Sequence, residues 1–280
     1  MPLQTNLRKT IVSLDKNEVP APLVLVDADN TLWDTDGVFA DAQLKLLNAV
    51  EEATGLLGPE ADRLSFVRAF DQEIAKQHHQ GLRYPPRLLI DALVFGLHGA
   101  PVSQAVRQAW RQGEQSGLDR ALVARVEKEF FEAIGKQPAL LDGVETGLRM
   151  LSFAGVAVII LTEGSRKRVA RSLEFHQLAG FVDRVFEAPK NRRMFGRIKA
   201  LAAADQMTFV VGDQLTRDIQ PANDAGLETI FVPGRFQPLW ERETGIRPSF
   251  QAPSFDAAAA YILHFIAPQR AGTAVAAKRP

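Results

Sequence analysis

Cysteine is absent from this 280-residue chain, which excludes disulfides, thiolate metal sites and cysteine nucleophiles together. An excess of one charge is also lacking: 33 Lys and Arg face 33 Asp and Glu. Phosphate backbones recruit strongly basic surfaces, so this balance argues against nucleic acid as a main partner. A small anionic substrate needs only a few local cations and stays open. Apolar runs such as Val156–Leu161 are far too short to cross a bilayer. Residues 1–20 are polar, with Lys9, Asp15, Lys16 and Glu18 and no apolar signal-peptide core. The expectation is a cytoplasmic protein with no membrane partner. An apolar fraction of 46% and a charged fraction of 24% belong to a folded chain, long enough for one large core or two modest ones.

Strand signals open at Leu23-Val-Leu-Val26, an apolar run closed by Asp27-Ala-Asp-Asn-Thr31, as a strand buried on both faces requires. They are then almost missing from 38 to 135. Phe39, Ala42, Leu46, Ala49 and Ala53 recur at helical spacing, as do Leu64, Val67, Phe70 and Ile74. Leu89, Leu93 and Leu97 follow Pro85-Pro86 and stop at Gly99-Ala-Pro101. Leu122, Val126, Phe130 and Ala133 follow Asp119, an N-cap candidate. After Gly143 the pattern alternates: a helix over 144–154, strand Val156–Leu161, a helix capped by Ser165, strand Val185–Glu187, a helix through Met194, Ile198 and Leu201, strand Thr208–Val211, a helix through Ile219 and Ala225, and strand Thr229–Val232. This predicts an α/β fold: a Rossmann-like parallel sheet with an all-helical insertion. The expected boundaries are an N-terminal extension 1–20, a core of 21–36 and 143–267, a helical cap 37–142 and a flexible tail 268–280.

Reactive groups of an open parallel sheet collect beyond the carboxyl ends of its strands. Asp27, Asp29, Thr162, Lys190 and Asp213 all fall at or just past predicted strand ends. The two-residue step from Asp27 to Asp29 directs both side chains to one side of an extended segment. One carboxylate can attack phosphorus, a divalent cation can relieve its repulsion from a dianionic ester, and the second can protonate the leaving alkoxide. Thr162, before Glu163-Gly164 and a helix start, can hold phosphate oxygens through its hydroxyl and the N–H groups of that turn. Lys190 offers a compact ammonium. Arg192, Arg193, Arg197 and Lys199 compete for that role, but Lys190 alone directly follows a strand. Asp213 and Asp218 supply the oxygen ligands that Mg²⁺ prefers, although Asp218 also reads as a helix N-cap.

Order, spacing and residue types from 22 to 233 resemble the haloacid dehalogenase superfamily, especially its phosphatase branch with a helical cap after the first motif. Asp27-Ala-Asp29-Asn-Thr31 is similar to its first motif, Thr162 in Leu-Thr-Glu-Gly to its second, and Lys190 to its third. Gly212-Asp213-Gln-Leu-Thr-Arg-Asp218 is similar to its fourth. Glu163 stands where Asn is common, and Asn191 where proline is usual. The resemblance implies a Mg²⁺-dependent phosphomonoester hydrolase forming an aspartyl-phosphate on Asp27, with Asp29 as acid and base and a small phosphorylated metabolite as substrate. It implies phosphate binding by Thr162, Glu163 and Gly164 (Glu163 through its N–H) and Lys190. It places Mg²⁺ between the Asp27 and Asp213 side chains and the Asp29 carbonyl, with Asp218 orienting Lys190 or a metal-bound water. The cap would close over the site and exclude water.

Other chemistries of that superfamily stay open. A carbon–halogen hydrolase needs no acid for its leaving group, so Asp29 counts against it. A phosphonate hydrolase needs a cap lysine, for which Lys45, Lys76, Lys128 and Lys136 are undistinguished candidates. A phosphomutase is a further alternative, and a non-catalytic scaffold fits the intact acidic positions least. Asp34 and Asp36 read as hinge residues, His78, His79 and His98 as non-ligands, and Arg83-Tyr84-Pro85-Pro86 as a cap loop that reaches for substrate.

Overall fold

The computed structural model describes residues 20–77, 84–112, 117–203, 206–241 and 245–276. The chain divides into two compact units, Thr35–Gln137 and the remainder.

Thr35–Gln137 is helical: α1 (Thr35–Thr54), α2 (Arg63–Gln77), α3 (Pro86–Leu97), α4 (Val102–Gln112) and α5 (Arg120–Ile134). Leu46, Leu47 and Val50 of α1, Phe70 and Ile74 of α2 and Val126 of α5 share one core. Asp119 caps α5, its Oδ1 accepting the Ala121 and Leu122 N–H groups at 2.9 and 3.0 Å. Tyr84 donates its hydroxyl to Asp71 inside this unit. That bond gives the tyrosine a partner within the helical block, where a substrate contact was expected. His78, His79 and Arg83 lie outside the described residues. α4 has no counterpart in the sequence reading. Its buried side chains Ala105, Val106 and Ala109 are too small and too few to draw a stripe.

Residues 138–142, assigned to the cap by sequence, are stitched to the strand-side chain. The Asp34 N–H donates to the Ala139 carbonyl at 2.8 Å and the Leu141 N–H to that of Leu32 at 3.0 Å.

The second unit holds β1 (Leu23–Val26), β2 (Ala157–Thr162), β3 (Arg184–Glu187), β4 (Thr208–Gly212), β5 (Glu228–Phe231) and β6 (Phe250–Gln251). They form one sheet in the order β3-β2-β1-β4-β5-β6, every pair parallel. Period-two alternation sorts the side chains. Val24, Val26, Val158 and Ile160 enter the core on one face, where α6 (Val144–Phe153), α7 (Arg166–Phe175) and α10 (Phe255–Ala276) pack with Leu151, Leu173 and Ile262. Leu23, Leu25, Ile159 and Leu161 enter the other, beneath Phe195 of α8 (Arg192–Leu201) and Ala222 of α9 (Gln220–Asp224). Each such aliphatic burial contributes roughly 1.5–3 kcal/mol, which offsets the cost of fixing its backbone. That is why uninterrupted apolar runs form these strands.

α10 continues to Ala276, into residues that composition assigns to a loose tail. Alanine, the strongest helix former, recurs along that stretch. None of the described helices is long and apolar enough to cross a membrane.

Candidate active site

Register brings the reactive residues together. Val26 pairs with Ile160 on one side and Val211 on the other, so β1, β2 and β4 end at about the same level. The chain leaves β1 toward β2 on one side, and β4 lies on the other, which opens a crevice at their carboxyl ends. Asp27 follows β1, Thr162 ends β2, Lys190 follows β3 and Asp213 follows β4.

The Lys190 ammonium bridges two carboxylates. It donates to Asp27 Oδ1 and, at 2.6 Å, to Asp218 Oδ1. Asp218 rides on a single π turn, Leu215–Ile219, and its second oxygen accepts the Gln214 N–H at 3.1 Å. Gly212 makes this possible, since a β-carbon there would collide with the Asp218 carboxylate. The second oxygen of Asp27 accepts the Thr31 hydroxyl at 3.3 Å. Both Asp218 oxygens accept from protein donors, and one of them holds the Lys190 ammonium.

Asp213 is different: its Oδ1 is buried and has no hydrogen-bond partner among the described residues. Asp27, Asp213 and Asp218 each offer an oxygen within 4.8 Å of the others. A buried orphan oxygen in an acidic cluster fits a cation, because a bare carboxylate in that position is otherwise left without solvation. The electrostatics agree. Burial pushes Asp27 up to about 7, against the lowering pull of Lys190, and Asp218 and Asp29 add to the rise. Burial also raises Asp213, reinforced by Asp27 and Asp218. For Lys190, burial opposes the charge but Asp218 and Asp27 outweigh it, and the ammonium is held above its ordinary range.

The second aspartate and the threonine share a gap. A β-carbon on Gly164 would lie 3.2 Å from Thr162 Oγ1 and 3.4 Å from Asp29 Oδ2, so the bare glycine keeps space between them. Trp33 Nε1 donates to Asp29 Oδ1 at 3.3 Å.

Residues 21–226 match the profile of the haloacid dehalogenase-like hydrolases. The chain belongs to this family. Three solved structures illustrate the likeness of this hydrolase to known folds. YfnB of Bacillus subtilis, assigned as a HAD-hydrolase and crystallised with magnesium, is 17% identical, with a TM-score of 0.56 over 88% of this chain and 98% of that one. A haloacid dehalogenase-like family hydrolase from Xanthomonas campestris is 17% identical, with a TM-score of 0.56 over 92% and 99%. A Thermotoga maritima protein assigned as a β-phosphoglucomutase is 14% identical, with a TM-score of 0.54 over 87% and 99%. At these identities the likeness is one of fold. No curated protein matches the chain significantly.

Within this hydrolase, the departures at 163 and 191 have local explanations. The Glu163 carboxylate accepts the Lys190 backbone N–H at 3.0 Å and pairs with Arg217, which ties the β2, β3 and β4 loops together. Asn191 caps α8, accepting the Met194 N–H at 2.9 Å, which a proline cannot do with its side chain. The Gly164 N–H, read from sequence as a phosphate donor, is instead turned onto Thr162 Oγ1 at 2.9 Å. Ser165 stands at the start of α7 without a side-chain capping bond; the Arg166 N–H goes to Glu187 at 2.8 Å. Asp34 lies 3.7 Å from Arg235, Asp36 pairs with Arg68 at 2.7 Å in the helical unit, and neither joins the acidic cluster. His98 ends α3. Trp33 and the buried Glu241 have no motif to announce them; Trp33 acts on Asp29 four residues back, whereas Glu241, and Arg217 from within the fourth motif, meet partners that only the fold brings near.

Proposed function

We propose that this hydrolase is a Mg²⁺-dependent phosphomonoesterase acting on a small phosphorylated metabolite through an aspartyl-phosphate on Asp27. The observation that carries the reading is the Asp213 oxygen left bare and buried beside an Asp27 carboxylate neutralised by Lys190. Asp27 and Asp213 would hold Mg²⁺ through side chains and Asp29 through its backbone carbonyl, while Asp218 holds Lys190. The ion, when bound, offsets the negative charge of the phosphoryl group and lowers its repulsion from the nucleophile.

The side chains divide the remaining work. An Asp27 oxygen forms a bond to phosphorus as the ester P–O bond breaks, and the electron pair departs on the alkoxide. The Asp29 carboxyl donates its proton to that alkoxide, then as carboxylate takes a proton from the water that attacks phosphorus. The bond between phosphorus and Asp27 breaks and inorganic phosphate leaves. Lys190 and the Thr162 hydroxyl bind the phosphoryl oxygens, placed beforehand by buried contacts and so reorganising little during reaction. Asp29, oriented by Trp33 and facing the Gly164 gap, favours an oxygen leaving group, which needs a proton, over a halide, which does not.

The test is turnover of p-nitrophenyl phosphate with Mg²⁺. Activity lost on adding EDTA and in Asp27→Asn supports the reading. Turnover indifferent to both, or no turnover on a broad phosphate-ester panel, contradicts it.

A further inference from the structure

Glu241 is a buried carboxylate that the chemistry above does not use. It ends a short 3₁₀ turn, Leu239–Glu241, beyond the stretch that matches the family profile, and only 4% of its surface is exposed. Both of its oxygens converge on one residue. Oε2 accepts the Thr216 N–H at 3.0 Å and Oε1 accepts the Thr216 hydroxyl. Among the described residues no cation pairs with it, and its hydrogen bonds go to the N–H and hydroxyl of Thr216.

Thr216 lies in the first turn of the π segment that carries Asp218. The N–H groups of a first helical turn have no partner within the helix, and the dipole there favours negative charge. Glu241 supplies both an acceptor and that charge from 25 residues further along the chain. The π turn is a rare geometry, found mostly as single turns at functional sites. From it, Asp218 reaches Lys190, and Lys190 reaches Asp27. An unbroken sequence of contacts thus runs from Glu241 through Thr216 and the π turn to the nucleophile.

We infer that Glu241 is a positioning residue for the phosphoryl-transfer site: it clamps Thr216 and so fixes the turn from which Asp218 aims the Lys190 ammonium. The inference rests on the phosphatase reading. Glu241 touches no reacting atom, and its influence on the Lys190 ammonium passes through Asp218, the residue of the turn that contacts that group.

The experiment is a double-mutant cycle between Glu241→Ala and Asp218→Asn in the full-length protein. It has two readouts: kcat on p-nitrophenyl phosphate with Mg²⁺, and affinity for tungstate, an unreactive phosphate-like oxyanion, by calorimetry. Glu241→Ala should lower kcat and weaken tungstate binding by about tenfold each in the otherwise native protein. In the Asp218→Asn background it should lower neither by more than about twofold, because the path is already cut. Glu241→Gln, which keeps an acceptor for the Thr216 N–H, should fall between the native protein and Glu241→Ala. If Glu241→Ala does not fold, Thr216→Val, which removes the hydroxyl contact and leaves the N–H, takes its place in the same cycle.

Losses that multiply fully across the cycle overturn the inference, since a general loosening of the fold acts independently of Asp218. Native-like kcat and tungstate affinity in a folded Glu241→Ala protein overturn it too. A native protein that turns over phosphate esters and binds tungstate, beside an unaffected variant, isolates the failure to Glu241. A native protein that does neither brings down the phosphatase reading and this inference together.

Discussion

Lys190 Nζ lies 2.6 Å from Asp218 Oδ1, with side-chain exposures of 6% and 2%. A cation this deeply enclosed is stable only beside anions, and here it has two, Asp218 and Asp27. The arrangement lets Asp27 stand as a carboxylate where water cannot solvate it. On the proposed reading, its stability and its reactivity share one ion pair.

Removing the cation should expose that dependence. Lys190→Met leaves Asp27 and Asp218 buried without a counter-charge, a change that costs about 3–5 kcal/mol in comparable buried pairs. In the variant, the folded protein keeps protons that the unfolded chain has already released, so stability falls as pH rises. The urea midpoint should drop strongly at about pH 8 and much less at about pH 5, where Asp27, pushed up by burial, is protonated. An equal loss at both pH values would show that Lys190 does not compensate those carboxylates.

Cation and proton compete for Asp27. Burial holds this group at about 7, well above an ordinary aspartate, so the metal-free native state binds a proton that the unfolded chain gives up near pH 4. Asp27's contribution to metal-free stability is fully present below the unfolded value and is lost as pH rises through about 7. On the proposed reading, magnesium displaces that proton when it binds. Calorimetry should show Mg²⁺ affinity rising about tenfold per pH unit up to pH 7 and levelling above it. A flat profile from about pH 5 to about pH 8 would contradict Asp27 as a ligand.

Asp213→Asn removes charge from a buried carboxylate whose Oδ1 has no hydrogen-bond partner among the described residues. Affinity for Mg²⁺ should fall at least tenfold, in the range seen when metal-site groups are altered. Without metal, thermal stability should hold or rise, because a carboxyl whose charged form is disfavoured by burial and then by its acidic neighbours is gone. A large loss of metal-free stability, with metal affinity unchanged, would recast Asp213 as a structural residue.

Much of this site is legible along the chain, because strand ends are local features. Apolar runs at 23–26 and 208–211 end in acidic residues, and that pattern places Asp27 and Asp213 before any coordinates. Lys190 stands out from four neighbouring cations for the same reason, and it is Lys190 that meets Asp27. Other elements leave no such trace. α4 buries mainly small side chains and β6 is only Phe250–Gln251, too short for periodicity. Glu241 is one acidic residue among many, and its contact with Thr216 spans 25 positions, so no spacing rule reaches it. The Gly164 N–H shows the converse: sequence places it in the phosphate-binding turn, but its direction depends on a local bond to Thr162.

Gly164 yields a prediction that separates space from stability. An added β-carbon would lie 3.2 Å from Thr162 Oγ1 and 3.4 Å from Asp29 Oδ2, close enough to crowd both without a collision. Gly164→Ala should fold with a melting temperature within a few degrees of the native protein and a KM raised about tenfold, equivalent to roughly 1.4 kcal/mol of lost binding. An unchanged KM would place the phosphoryl group elsewhere.

The covalent step can be read directly. Acid quenching during turnover of p-nitrophenyl phosphate with Mg²⁺, followed by borohydride reduction, converts an acyl-phosphate on aspartate to homoserine, which peptide mass spectrometry locates. The account predicts homoserine at position 27, none at 29, and none without substrate. Native Asp27 throughout, with label on another residue that is itself required for turnover, would contradict it.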